Sequence, residues 1–280
     1  MSSDSCFKND MLAGRVAVVS GGGSGICLGI VRGLVAHGAK VAIVSRNIER
    51  LTAAADAVNA DYGAGATRKV CPVAADVRDP DALARAMQVV KAEFGHVDLL
   101  VNGAAGNFLC PAESLSPNGF GTVIDIDVKG TWNLTRAVFD AFFEKQPDSR
   151  RSSGALNRVA PLNVLNISAT LHYGGTPLQV HVAAAKAAID AMTQTLAVEW
   201  GEYGIRVNAI APGPIADTEG AKRLFPGEMG EELAKVTPVR RLGKIEDVVN
   251  LSLFLFSPMA ANITGSIMVS DGGLSLPKAS

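Results

Sequence analysis

From Val16 to Ile30 the chain reads Val-Ala-Val-Val-Ser-Gly-Gly-Gly-Ser-Gly-Ile-Cys-Leu-Gly-Ile. A short apolar run rich in β-branched residues, four glycines between positions 21 and 25, and a helical pattern from Ile26 onward describe a strand, a tight turn and a helix. Such a turn aims backbone N–H groups and the positive end of a helix at an anion, and glycine lets a phosphate approach because no Cβ intervenes. Glycine clusters also mark ordinary turns. After the first strand of a βαβ unit, however, the cluster points to the pyrophosphate of a dinucleotide, lined by Gly21, Gly23, Ser24, Gly25 and Ile26.

Nothing resembling a flexible linker divides the 280 residues, so a single domain over 1–280 is expected, with 1–13 as an N-terminal extension. Hydrophobic residues make up 48% of the chain, enough for a large core without a metal or a disulfide. Cys6, Cys27, Cys71 and Cys110 fall in no ligand spacing and read as reduced thiols, so no metal site is expected. A net charge of −1 argues against a nucleic-acid surface. No apolar run reaches the ~18 residues of a membrane span, which argues against stable membrane insertion. The first residues carry Asp4 and Asp10 rather than the apolar or arginine-rich stretch of a leader, and Lys278-Ala279-Ser280 is not an SKL-type address.

Further along, strands are expected at 40–45, 68–75, 97–102, 161–167, 205–211 and 266–270. Helical patterns fall at 48–60, from Pro80, at 117–145, at 180–203 and at 245–256. This alternation means an α/β fold: a Rossmann-like, doubly wound parallel sheet of about seven strands with helices on both faces. Arg46 stands 21 residues after Gly25 with no acidic neighbour. An acidic residue there would hold the ribose 2′-hydroxyl of NAD, whereas arginine suits the 2′-phosphate of NADP(H). Asp76 and Val77 end the third strand where an adenine could be met, while Asp79-Pro80 supplies a helix cap without using Asp76. Residues 146–160 are polar and unpatterned and read as an exposed loop. Residues 216–237 read as a segment that covers the substrate.

Taken together, Ser20-Gly21-(x)3-Gly25-Ile26, Asp76-Val77, Asn102-Gly103-Ala104-Ala105-Gly106, Lys186 and Pro212-Gly213 resemble the short-chain dehydrogenase/reductase family. The resemblance covers nearly the whole chain and implies nucleotide contacts at Asn102, Ala104, Lys186, Pro212, Gly213 and Ile215. Cys27 departs from it, standing where the family has the third glycine of the turn. The family's Asn-Ser-Tyr-Lys tetrad is also broken. Val182 holds the tyrosine's place four residues before Lys186, Ala169 the serine's, and Asp127 the asparagine's. Valine cannot donate a proton, so ordinary oxo–hydroxy chemistry loses its acid.

Ala104-Ala105-Gly106-Asn107-Phe108, Leu115-Ser116-Pro117-Asn118 and Pro212-Gly213-Pro214-Ile215-(x)2-Thr218-Glu219-Gly220 are similar to the family's 2,4-dienoyl-CoA reductase branch, particularly its peroxisomal type. That likeness implies an acyl-CoA thioester as substrate and NADPH as hydride donor, with Asp127 orienting a proton-donating water, Asn107 holding the thioester oxygen and Lys186 gripping the nicotinamide ribose. It further implies substrate contacts at Arg78, Phe108, Ser116 and Arg223, a homotetramer built through helices near 117–145 and 180–203, and a peroxisome or related organelle as the compartment. Two alternatives stay open. One is another short-chain oxidoreductase acting on an oxo or hydroxy group, with Tyr173 or His181 as its acid; the other is a catalytically silent nucleotide-binding protein.

Overall fold

The structure, a computed structural model, describes residues 6–62, 69–143, 162–218, 220–221 and 229–276. Seven strands, β1 (Val16–Ser20), β2 (Lys40–Ser45), β3 (Val70–Ala74), β4 (Leu99–Asn102), β5 (Asn163–Ile167), β6 (Arg206–Pro212) and β7 (Ile267–Ser270), form one parallel sheet in the order β3-β2-β1-β4-β5-β6-β7. The helices are α1 (Gly25–Ala36), α2 (Ile48–Tyr62), α3 (Pro80–Phe94), α4 (Pro117–Val123), α5 (Gly130–Phe142), α6 (Val180–Trp200), α7 (Met229–Val236) and α8 (Ile245–Phe256).

All five residues of β1 are buried, because the sheet is covered on both faces. Successive side chains alternate between those faces. Ala17 and Val19 join the core beneath α1, α2 and α8, while Val16 and Val18 join the opposite core beneath α3, α5 and α6. The chain order reverses between β1 and β4, which opens a crevice at the carboxyl edge of the sheet. At the other edge Asp98 secures the start of β1, its Oδ2 accepting the Val16 N–H at 2.9 Å and its Oδ1 pairing with Arg15 at 3.1 Å.

Three expectations are refined. The patterned stretch 117–145 is not one helix: a π-helical turn, Ile124–Lys129, separates α4 from α5 and carries the fully buried Asp127. Such turns displace the backbone ladder and re-aim the side chains they carry. Asp79 caps α3 by accepting the N–H groups of Asp81 and Ala82, both at 3.0 Å, leaving Asp76 free of that duty as the sequence implied. Within the N-terminal extension Leu12 is buried in the core and its N–H reaches the His37 carbonyl at 2.9 Å. The loop 146–160 lies outside the described residues, as do 219 and 222–228 of the segment 216–237.

α1 and α8 lie against one another because α1 presents Gly29 and Gly33 at the contact. A Cβ at Gly33 would stand 2.5 Å from Val249 Cγ1, and one at Gly29 would stand 2.1 Å from Ile245 Cγ2. Gly33→Val should therefore lower stability by about 1–3 kcal/mol through overpacking, read as a shifted midpoint in urea unfolding with an unchanged slope.

Candidate active site

The crevice holds a cavity of about 720 Å³. At one end Gly21, Gly23, Ser24, Gly25 and Ile26 line it, as the sequence led one to expect. Gly21 and Gly25 have φ of +70° and +55°, a region L side chains avoid. A Cβ on Gly21 would stand 3.0 Å from the Gly103 carbonyl oxygen, so the turn after β1 and the loop after β4 can touch only through glycine. Ser24 caps α1 in extended conformation without a side-chain bond, which leaves the helix's first N–H groups for a ligand. A dinucleotide's pyrophosphate fits this cradle.

Cys27 occupies the space in front of Gly103. A Cβ at Gly103 would stand 2.1 Å from its sulfur, so the thiol at 27 and the glycine at 103 fit as a pair. Burial pushes the Cys27 thiol up to about 12, partly offset by the Lys186 ammonium. It is therefore an apolar filler rather than a nucleophile.

Arg46 lies exposed on the cavity wall, and so does Arg50 in the first turn of α2, which the sequence reading did not single out. Asp76 and Val77 line the same end. The Asp76 carboxylate is gripped by Arg78 through both Nε and Nη2, at 3.0 and 2.6 Å, and this guanidinium holds its pKa below the usual carboxylate range. Arg78 is thus an ion-pair partner of Asp76.

On the cavity wall Lys186 Nζ donates to the Ile167 carbonyl at 3.1 Å and lies 3.0 Å from Oδ2 of Asp127, which stands behind it and does not itself line the cavity. Asp127 Oδ1 accepts the Gly106 N–H at 2.7 Å. Both side chains are buried, and Asp127 is wholly enclosed. Lys186, Asn107, Ala104, Pro212, Gly213 and Ile215 line the cavity. Asn107 Oδ1 accepts from Gln179 Nε2 at 3.0 Å. No local signal marked Gln179, whose partner lies 72 residues away.

Other expected positions go elsewhere. The Asn102 amide donates to Thr135 of α5 and Asn166 of β5, at 2.8 and 2.9 Å, and does not line the cavity. Ser116 caps α4 by accepting the Gly119 N–H. Phe108 stacks on His181 with ring centroids 4.3 Å apart. Arg223 lies outside the described residues. Val182 is buried against Val123 and Ala185. The Tyr173 hydroxyl donates to Asp190 at 3.3 Å, and burial followed by that carboxylate pushes its pKa to about 12. Among the described residues lining the cavity there is no tyrosine and no histidine.

Residues 21–275 match the family model described as enoyl-(acyl carrier protein) reductase. The chain is 43% identical over 276 residues to the peroxisomal 2,4-dienoyl-CoA reductase of Danio rerio, covering 98% of this chain and 85% of that protein. Its counterpart from Pongo abelii is 45% identical over 270 residues, covering 95% and 86%. Among solved structures, a short chain dehydrogenase from Bacillus anthracis superposes with a TM-score of 0.80 at 36% identity, covering 95% of this chain and 99% of that one.

The pairing of Cys27 with Gly103 predicts a compensating mutation. Gly103→Ala alone should cost about 1–3 kcal/mol in denaturant unfolding through overpacking. Adding Cys27→Gly should restore most of it, because the new methyl then enters the space the sulfur leaves; equal losses in the single and double variants would refute the pairing.

Proposed function

Because the chain belongs to the short-chain dehydrogenase/reductase family, we propose that it reduces 2,4-dienoyl-CoA thioesters to 3-enoyl-CoA with NADPH. One observation carries the reading. The described cavity wall offers neither tyrosine nor histidine, and the tyrosine's place is a valine buried in apolar packing, yet Lys186 and Asn107 still face the cavity. A ketone reductase must protonate an alkoxide, for which this wall has no phenol or imidazole. Reduction of a conjugated diene puts both hydrogens on carbon, so water can be the acid.

Reduced nicotinamide, when bound, supplies the hydride, which goes to the distal end of the diene. The residues of the chain do the remainder. Asn107 donates to the thioester oxygen as negative charge moves onto it, lowering the barrier most where that charge is greatest. Lys186 holds the nicotinamide ribose and adds positive potential. Asp127 fixes the Lys186 ammonium and the Gly106 N–H, and through that ammonium orients the water that protonates the carbon next to the carbonyl. The double bond then lies between the third and fourth carbons. Phe108, Ser116, Arg78 and Arg223 are proposed for the acyl-CoA side, with Arg78 released from Asp76 when a phosphate competes for its fork.

Arg46, supported by Arg50, is the proposed seat of the 2′-phosphate and hence of the choice of NADPH. The named relatives are peroxisomal, and we place this enzyme likewise in a peroxisome or related organelle. We also propose a homotetramer, supported by Phe120, Trp132 and Val198, apolar side chains exposed on α4, α5 and α6.

NADPH oxidation should be seen with 2,4-decadienoyl-CoA and be negligible with acetoacetyl-CoA or a 2-enoyl-CoA. Turnover of the oxo substrate instead would overturn the reading, and so would no turnover of any of the three. Asp127→Asn should retain NADPH binding while kcat falls about 10²-fold, the scale of losing one preorganised electrostatic contact. Arg46→Ala should raise the KM for NADPH about tenfold and leave NADH nearly unchanged, since only the former loses a charge-assisted bond of about 1.5–3 kcal/mol.

A further inference from the structure

Gln179 precedes α6 at its N-cap position, yet it makes no capping bond. Its side chain is buried, lines the cavity, and is directed at Asn107. The residue before it, Leu178, has φ of +66°, one of two non-glycine residues with positive φ among the described residues. Leucine has nothing to gain locally from the left-handed region, and strain of that kind persists where surrounding structure imposes it, often at functional sites.

The surroundings that impose it are visible. The Cys110 N–H donates to the Leu178 carbonyl at 2.9 Å, Gln179 donates to Asn107 at 3.0 Å, and the Phe108 ring stacks on His181. Three contacts thus tie 107–110 to 178–181. The middle one is the hydrogen bond between side chains, and it bears on how the Asn107 amide is turned. An asparagine amide has one accepting and one donating end. With Oδ1 engaged by Gln179, the Nδ2 group is the end left for the cavity, and it makes no other hydrogen bond to the described residues.

We infer that Gln179, aimed by the left-handed turn at Leu178, is a positioning residue that fixes the Asn107 amide with its N–H2 group toward the substrate. This rests on the proposed role of Asn107 as donor to the thioester oxygen. Without Gln179 the amide can turn and present its oxygen, which would repel the developing charge instead of stabilising it. The orientation is set before substrate arrives, which is where a preorganised donor derives its advantage.

Two replacements of similar length separate orientation from simple tethering. Gln179→Met keeps the bulk but removes the donor, so the amide is free to take either orientation. Gln179→Glu offers a carboxylate that accepts from Nδ2 and reverses the amide. Steady-state kinetics with 2,4-decadienoyl-CoA, NADPH affinity by fluorescence and thermal melting would be measured for both and for Asn107→Ala. We expect kcat to fall about 10²-fold in Asn107→Ala, the usual cost of losing such a donor. It should fall about fivefold to tenfold in Gln179→Met and at least about tenfold further in Gln179→Glu, with NADPH affinity unchanged in both, as for a loss confined to the transition state.

Equal losses in the two Gln179 variants would mean tethering alone and overturn the inference. Gln179 variants within about twofold of wild type, beside an impaired Asn107→Ala, would overturn it too while sparing the role of Asn107. An Asn107→Ala enzyme with full activity would instead remove that role from the proposed function, and the inference with it.

Discussion

Asp127 and Lys186 form an ion pair at 3.0 Å with almost no exposure to solvent, and four parts of the fold converge on it. The π-helical turn supplies the carboxylate, α6 the ammonium, the loop after β4 the Gly106 N–H, and the end of β5 the Ile167 carbonyl. Two buried charges lose their hydration, and that cost is tolerated only where the charges meet each other and their remaining sites are hydrogen-bonded. Here the charges meet each other at 3.0 Å, the Gly106 N–H bonds the carboxylate and the Ile167 carbonyl the ammonium. Removing one member leaves the other charged and buried, so the cavity wall at Lys186 depends on the pair as a unit.

A second constraint is the close approach of two backbone segments at the carboxyl edge of the sheet. The turn after β1 and the loop after β4 meet where Gly21 faces the Gly103 carbonyl. Ser20 Oγ accepts the N–H groups of Gly103 and Ala104, at 3.0 and 3.2 Å, and Cys27 fills the space a side chain at 103 would need. The nucleotide cradle and the start of the loop bearing Asn107 are therefore tied directly to one another. Under the proposed function this tie would hold the hydride donor and the thioester donor at a set separation, an arrangement that favours near-attack geometry.

The chemistry follows from what the site lacks as much as from what it holds. Val182 packs into a small apolar cluster instead of offering a phenol. Tyr173, the tyrosine of the preceding loop, donates a hydrogen bond to Asp190, and burial first and that carboxylate second make it a weaker acid. The lysine remains, paired to an aspartate where the family carries asparagine. That combination suits a reaction whose final proton goes to carbon from water and whose charge rests meanwhile on a thioester oxygen.

Much of this was legible in the residues. Apolar runs named all seven strands to within about two residues at each end, because strands covered on both faces are mostly apolar, although the buried β5 and β6 also carry Asn163, Asn166, Arg206 and Asn208. The glycine cluster named the turn that lines one end of the cavity, because a residue at φ of +70° with a carbonyl 3.0 Å from its Cβ position is best met by glycine. The resemblance to the family, laid over Lys186 and the Val182 four residues before it, gave the state of the tetrad. The sequence could not reveal the break in the 117–145 helix, since the apolar pattern runs through Asp127, whose carboxylate meets Lys186 and the Gly106 N–H only in the folded chain. Nor could it reveal that Asn102 bonds Thr135 and Asn166, that Arg78 closes on Asp76, or that Cys27 and Gly103 are matched. Gln179 is the clearest case, an unremarked polar residue before a helix whose partner is 72 positions away. Local pattern determines which face of an element is buried; which distant side chains meet is decided only when the sheet order sets the β4 and β5 loops side by side.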